Sequence, residues 1–132
     1  MAFRIISKGQ DAIPSKATKP VKRVAYLDWI RELPCVVTKQ HGVQAAHLST
    51  ARRDVGHTGR GKAQKASDEW CLPLSPDQHR LQHAGNEREY WRLRGIDPYL
   101  ACLVLFRLYT VHDRADATEH AERIINSGIA RI

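Results

Sequence analysis

The sequence predicts an α+β fold in which a short β-hairpin precedes a run of helices. Two apolar runs, Cys35-Val36-Val37 and Val43 to Leu48, flank residues 38–42, where Gly42 suits the turn between two strands. Downstream, residues that start helices recur: Ser75 before Pro76, then Asn86, then Asp97 before Pro98. The 132 residues are the size of one core, and 42% hydrophobic against 27% charged residues is enough apolar material to bury one.

Residues 1–23 read as a flexible basic N-terminal arm, because 8–22 mix Pro, Gly, Ser and Lys without periodicity. Residues 24–132 then form the domain with its C-terminal helical extension. Val24 to Leu33 puts Tyr26, Ile30 and Leu33 on one helical face, and Pro34 ends the pattern. The predicted hairpin ends at His47. From Ser49 to Asp68 runs a polar stretch with three glycines and five Lys or Arg, which reads as a surface loop. Loops beyond about 12 to 15 residues in a compact domain tend to be functional or disordered. Ser75 caps a helix through PDQHRLQHAG, and Asn86 caps EREYWRLR, closed by Gly95. Asp97 opens YLACLVLFRLYTVH, apolar enough for the main core helix, and an amphipathic helix follows from Ala117 to Asn126.

The formal charge of +7 and a pI near 9.7 favour a polyanionic partner, through release of condensed counterions, although a membrane surface would satisfy charge alone. No apolar run reaches 18 residues and the N-terminus lacks a signal-type apolar region, so a cytoplasmic protein without a membrane partner is expected. Cys35, Cys71 and Cys102 are odd in number and widely spaced, which argues against a disulfide framework, and three thiolates cannot make an all-cysteine zinc site.

His79 and His83 lie four apart on the helix after Ser75, where side chains stack on one face and can hold one cation together. Alone, that spacing also describes a solvated surface pair. Its context is more specific: a strand ending in His47, a basic glycine loop, then this helix. VQAAHL, GRGKAQKASDEWCLPL and DQHRLQHAGNEREYW together resemble the HNH nucleases of temperate phages and prophages, including the recombination-enhancement nucleases. The family's pattern is a strand ending Ala-His-Ile/Leu, a Gly-rich loop, Lys-x-x-Asp, Pro-Leu-Cys, His-x-x-x-His on a helix, and Gly-x-Glu with an aromatic residue. The match spans about residues 35 to 98.

The resemblance implies a ββα-metal core carrying a DNA endonuclease site. His47 would be the general base that takes a proton from the attacking water. His79 and His83 would hold a divalent ion, Mg, Mn, Ni or Zn, that stabilises charge on the scissile phosphate and the leaving oxygen. Asp68 would be a further ligand or would orient His47, and a loop hydrogen bond describes it equally well. Arg52, Arg53, Arg60, Lys62 and Lys65 would grip DNA phosphates, against the alternative of a solvated charged loop. A recombinase filament is the partner that the recombination-linked relatives suggest. His41 and His57 are expected to be incidental, and Tyr90 and Trp91 to belong to the core.

Three departures accompany the resemblance. Ala46 stands where many such enzymes place a metal-binding Asp or His before the base, and Trp70 lies near the expected Asn. Two Cys-x-x-Cys pairs that often brace these folds with zinc correspond here to Cys35-Val-Val-Thr38 and Ser75-Pro-Asp-Gln78, so no structural zinc is expected. Rival readings are a DNA-binding protein that kept the HNH scaffold without activity, and a small metal-binding interaction module.

Overall fold

The computed structural model describes residues 21–59 and 66–132, and among them it has five α-helices and one two-stranded antiparallel sheet. Helix α1 (Val24–Ile30) leads to strand β1 (Gln44–His47), and β2 (Cys71–Leu74) is followed at once by α2 (Pro76–His83). The chain continues through α3 (Glu87–Arg94), α4 (Pro98–Val111) and α5 (Arg114–Ser127). The α+β class is therefore correct. No helix of the described residues is long and apolar enough to cross a membrane.

The sheet differs from the predicted hairpin. β1 pairs not with residues 35–37 but with β2, in the register Gln44↔Leu74 to His47↔Cys71. Residues 35–40 are diverted into a tight turn of their own. Cys35 N donates to Gln40 O, Lys39 N donates to Cys35 O, and Lys39 adopts a positive φ of 64°. The Cys35 sulfur accepts from the N–H groups of Val37 and Thr38, both at 3.4 Å. Only Val36 reaches the sheet, donating to Pro73 O at 3.1 Å. β2 was hard to read because CLPL has no polar alternation: all four residues are buried, and Pro73 argues against a central strand.

The predicted caps form. Ser75 Oγ accepts from Gln78 N, Asn86 Oδ1 from Glu89 N, and Asp97 Oδ1 from Tyr99 N and Leu100 N. Gly95 closes α3 at φ 68°, a left-handed conformation that favours glycine. The final helix starts earlier than expected, at Arg114, because Asp113 caps it by accepting from Asp116 N.

Tyr26, Trp29, Ile30 and Leu33 from α1 are buried with Ala46, Leu72 and Leu74 of the sheet and with Ala101, Cys102 and Leu105 of α4. Ala117, Ala121 and Ile125 let α5 close on α4, and Trp29 Nε1 donates to Thr118 Oγ1 at 2.9 Å. Tyr90 and Trp91 are core residues, as expected. All three cysteines are buried and none forms a disulfide. Helices α1 and α4 pack on the sheet, and α2 packs on both of its strands, which positions the site.

Candidate active site

His47 is the last residue of β1, and Asp68 belongs to the 3-10 turn, Asp68–Trp70, that leads into β2. Antiparallel pairing brings these ends together, so His47 Nε2 lies 2.8 Å from Asp68 Oδ1, with both side chains nearly buried. Residues 21–23 strap the turn. Val21 N donates to Ser67 Oγ, Asp68 N donates to Val21 O, and Arg23 N donates to Asp68 Oδ2 at 2.6 Å. Both carboxylate oxygens are therefore committed, one to the backbone and one to the imidazole. A carboxylate only accepts, so His47 Nε2 carries a proton, and in the neutral ring the lone pair is then on Nδ1. Of the roles open to Asp68 from sequence, this geometry is that of an orienting partner.

Across β1, α2 presents a second pair. His79 Nδ1 meets Gln44 Oε1 at 2.8 Å, which puts that ring's proton on Nδ1 and its lone pair on Nε2. His79 Nε2 then accepts a hydrogen bond of 3.1 Å from His83 Nε2–H. Two nitrogens about 2.0–2.1 Å from one ion at ordinary ligand angles are separated by roughly 3.0–3.4 Å, so the pair is spaced for a shared cation. A hydrogen-bonded outer partner such as Gln44 fixes ligand orientation in the same way. The pair lines a shallow depression of about 250 Å³ with Gln44, Pro76 and Arg80. Among the described residues no third His, Cys, Asp or Glu joins it. Ala46 is fully buried in the core and contributes no ligand atom.

The two pairs do not share that depression. His79 is tied to Gln44 at the start of β1 and His47 stands at its end, three residues or about 10 Å along the strand. What α2 turns toward His47 is Gln82, a fully buried residue whose amide donates to His47 O at 3.4 Å and to Glu87 Oε2 at 3.0 Å. Glu87 in turn accepts from Ser49 N and Thr50 N. Gln82 and Glu87 thus lock the backbone just after His47 to α2 and α3. Sequence reasoning passed over Gln82 because it sits between two histidines on a polar helix. The signal for Glu87 was its place in Gly-x-Glu.

His57 is not incidental. It is fully buried, donates Nε2–H to Leu48 O at 2.8 Å, and accepts from Gly59 N at Nδ1, also at 2.8 Å. Its ring packs against Trp70 and Tyr99. An isolated bridge between Arg52 and His57 closes a small lasso around Gly56, which takes a φ of 95°. His41 is exposed, 3.8 Å from Glu122. Arg52 is drawn inward, donating to Asp97 and lying near Asp54, with its guanidinium 5.5 Å from the Tyr99 ring centroid. Arg53 is exposed on the 3-10 turn Arg53–Val55. Arg60, Lys62 and Lys65, like the first 20 residues of the basic arm, lie outside the described residues.

The two stretches matched above to paired cysteines also meet. Cys35 sulfur accepts hydrogen bonds from Thr38 and Val37 and from the backbone of Ser75 across the turn. Burial works against ionisation of this thiol, but those donors outweigh it and lower its pKa.

The fold and site define a small α+β protein with an Asp-oriented histidine at one end of a β-strand and a two-histidine cluster at the other. The chain belongs to the family described as "Protein of unknown function (DUF968)", whose model matches residues 12–107 and so takes in both pairs. No curated protein and no solved structure matched the chain significantly.

If the pair on α2 holds an ion, His79→Ala and His83→Ala should each weaken zinc or nickel binding about tenfold or more, and Gln44→Ala by roughly 10- to 100-fold. Titration calorimetry reads the affinity and circular dichroism the fold, which should persist because these side chains are exposed. Unchanged affinity in both histidine variants would remove the pair as ligands.

Proposed function

We propose that this protein is a metal-dependent HNH-type endonuclease that hydrolyses DNA phosphodiester bonds. The observation that carries the reading is the 3.1 Å approach of His79 Nε2 to His83 Nε2 on the helix that follows a strand ending in an Asp-oriented histidine. The order strand, loop, strand, helix is the order of a ββα-metal core. His47 Nδ1 takes the proton from the attacking water, and Asp68 holds the ring in the tautomer that permits it. A divalent ion held by His79 and His83, with water completing its shell, would supply positive charge to bound phosphate, and the DNA would have to span the length of β1 that separates this pair from His47. The net positive charge, with Arg52, Arg53, Arg60, Lys62 and Lys65 between His47 and Asp68 in sequence, supports DNA as the polyanion. A phage or prophage origin, a cytoplasmic setting and work beside a recombinase filament follow from the family resemblance alone.

A second reading, a DNA-binding HNH scaffold without activity, is favoured by one observation: Ala46, which stands where many such enzymes place a metal-binding Asp or His, is fully buried and has no ligand atom to give. Incubation with supercoiled plasmid separates the two. A nuclease converts it to open circles with Mg, Mn, Ni or Zn and stops on addition of EDTA. A scaffold shifts the plasmid's mobility and leaves it closed with every metal.

A further inference from the structure

The segment that follows His47 is pinned from several elements at once. Leu48 N donates to Trp70 O at 2.9 Å, Leu48 O accepts from His57, and Thr50 O accepts from the Tyr99 hydroxyl at 2.7 Å. The carbonyl of His47 itself accepts from the Gln82 amide. Glu87, the first residue of α3, gathers the rest: Ser49 N, Thr50 N and the Gln82 amide all donate to its carboxylate, at distances between 2.9 and 3.1 Å.

Donor and acceptor roles fix how this network is arranged. A carbonyl and a carboxylate both only accept, so the Gln82 amide turns its NH2 group to His47 O and Glu87 Oε2. Its Oε1 is then left buried, with no donor among the described residues. A buried acceptor left unanswered is costly, and the two N–H bonds on the other side of the amide offset that cost. The carboxylate at position 87 is equally specific. Three donors converge on it, and a glutamine there would bring an NH2 group against at least one of them.

We propose that Glu87 is a positioning residue for His47, acting through Gln82. Its carboxylate keeps the Gln82 amide turned so that it holds the His47 carbonyl, which fixes the backbone from which the imidazole projects. Asp68 fixes the far end of the ring, at Nε2. Because Gln82 lies on α2 between His79 and His83, the same bond sets how far His47 stands from the histidine pair. The role of His47 as base rests on the endonuclease reading; the network that places its ring does not.

The test compares full-length Glu87→Gln and Gln82→Met with Thr118→Ala, which takes the acceptor from Trp29 Nε1 and leaves the network intact. In Glu87→Gln the new NH2 group faces a donor whichever way it turns, and in Gln82→Met the His47 carbonyl loses its donor outright. Two variants are used so that one remains if the other does not fold. Both should lower the kcat of plasmid nicking roughly 10- to 100-fold at unchanged KM, as displacement of a reacting group by about 1 Å does. Thr118→Ala should nick at the wild-type rate. In metal-free protein the ring resonances of His47 should shift in the first two variants and stay put in Thr118→Ala. Wild-type kcat in Glu87→Gln and Gln82→Met, a rise in KM in place of the fall in kcat, or an equal fall in Thr118→Ala overturns the proposal. If wild type itself nicks no plasmid, the endonuclease reading fails and the resonances decide the placement: a shift in both variants upholds it, and unmoved His47 ring resonances overturn it.

Discussion

Replacing His47 with alanine is expected to lower plasmid nicking about 100- to 10,000-fold, the usual loss for a general base, while metal uptake by His79 and His83 persists. The companion variant is more diagnostic. In Asp68→Asn, the backbone N–H of Arg23, now 2.6 Å from Oδ2, still requires an oxygen, so the amide nitrogen turns toward His47. His47 Nε2 must then accept, its proton moves to Nδ1, and the lone pair that takes the water's proton is gone. Asp68→Asn should therefore cost nearly as much activity as His47→Ala, with an unchanged melting temperature. Plasmid nicking under saturating Mn, Mg, Ni and Zn in turn measures both. Wild-type rates in Asp68→Asn would show that His47 does not act through Nδ1, and wild-type rates in His47→Ala would remove it as the base.

The second large effect is structural. His57→Ala should lower stability by about 3 kcal/mol or more, since it strands Leu48 O and Gly59 N in the interior and empties the space against Trp70 and Tyr99. At roughly 3–5 °C per kcal/mol for a domain of this size, the melting temperature should fall by about 10 °C. His41→Ala, at an exposed side chain, should leave it within about 2 °C. Thermal denaturation followed by circular dichroism compares them, and equal melting temperatures would mean that His57 does not pin the lasso. Because Leu48 follows His47, the stable His57→Ala fraction should also nick more slowly.

What could be read in advance was local. Ser75, Asn86 and Asp97 cap helices through side-chain bonds to residues two or three positions on, and such geometry is written in short stretches of sequence. The i, i+4 spacing that joins His79 to His83 is of the same kind. What escaped is contact across distance. His57 resembles any loop histidine until Tyr99, 42 positions later, covers it. The hairpin was assigned to neighbouring apolar runs, yet the turn-forming bonds around Cys35 remove one run and β1 pairs 24 to 30 positions downstream. The His47–Asp68 bond was one of several options in the sequence, and the strap at 21–23 selected it.

That pairing has a kinetic consequence. β1 and β2 cannot meet until residues 48–70 are closed into a loop, an entropic cost of roughly 3 kcal/mol beyond a constant, whereas α2 to α5 are joined by connections of a few residues. Helices built on local contacts form early, and long-range strand pairs form late. Ala46→Gly, in the middle of β1, is therefore expected to accelerate unfolding in a denaturant-jump experiment while leaving the refolding rate nearly unchanged. A matching slowdown in refolding would place the sheet in the folding nucleus. With the sheet formed last, the imidazole–carboxylate pair at its end would exist only once the whole chain has folded, so a partly folded chain would carry the helical histidine pair without its base.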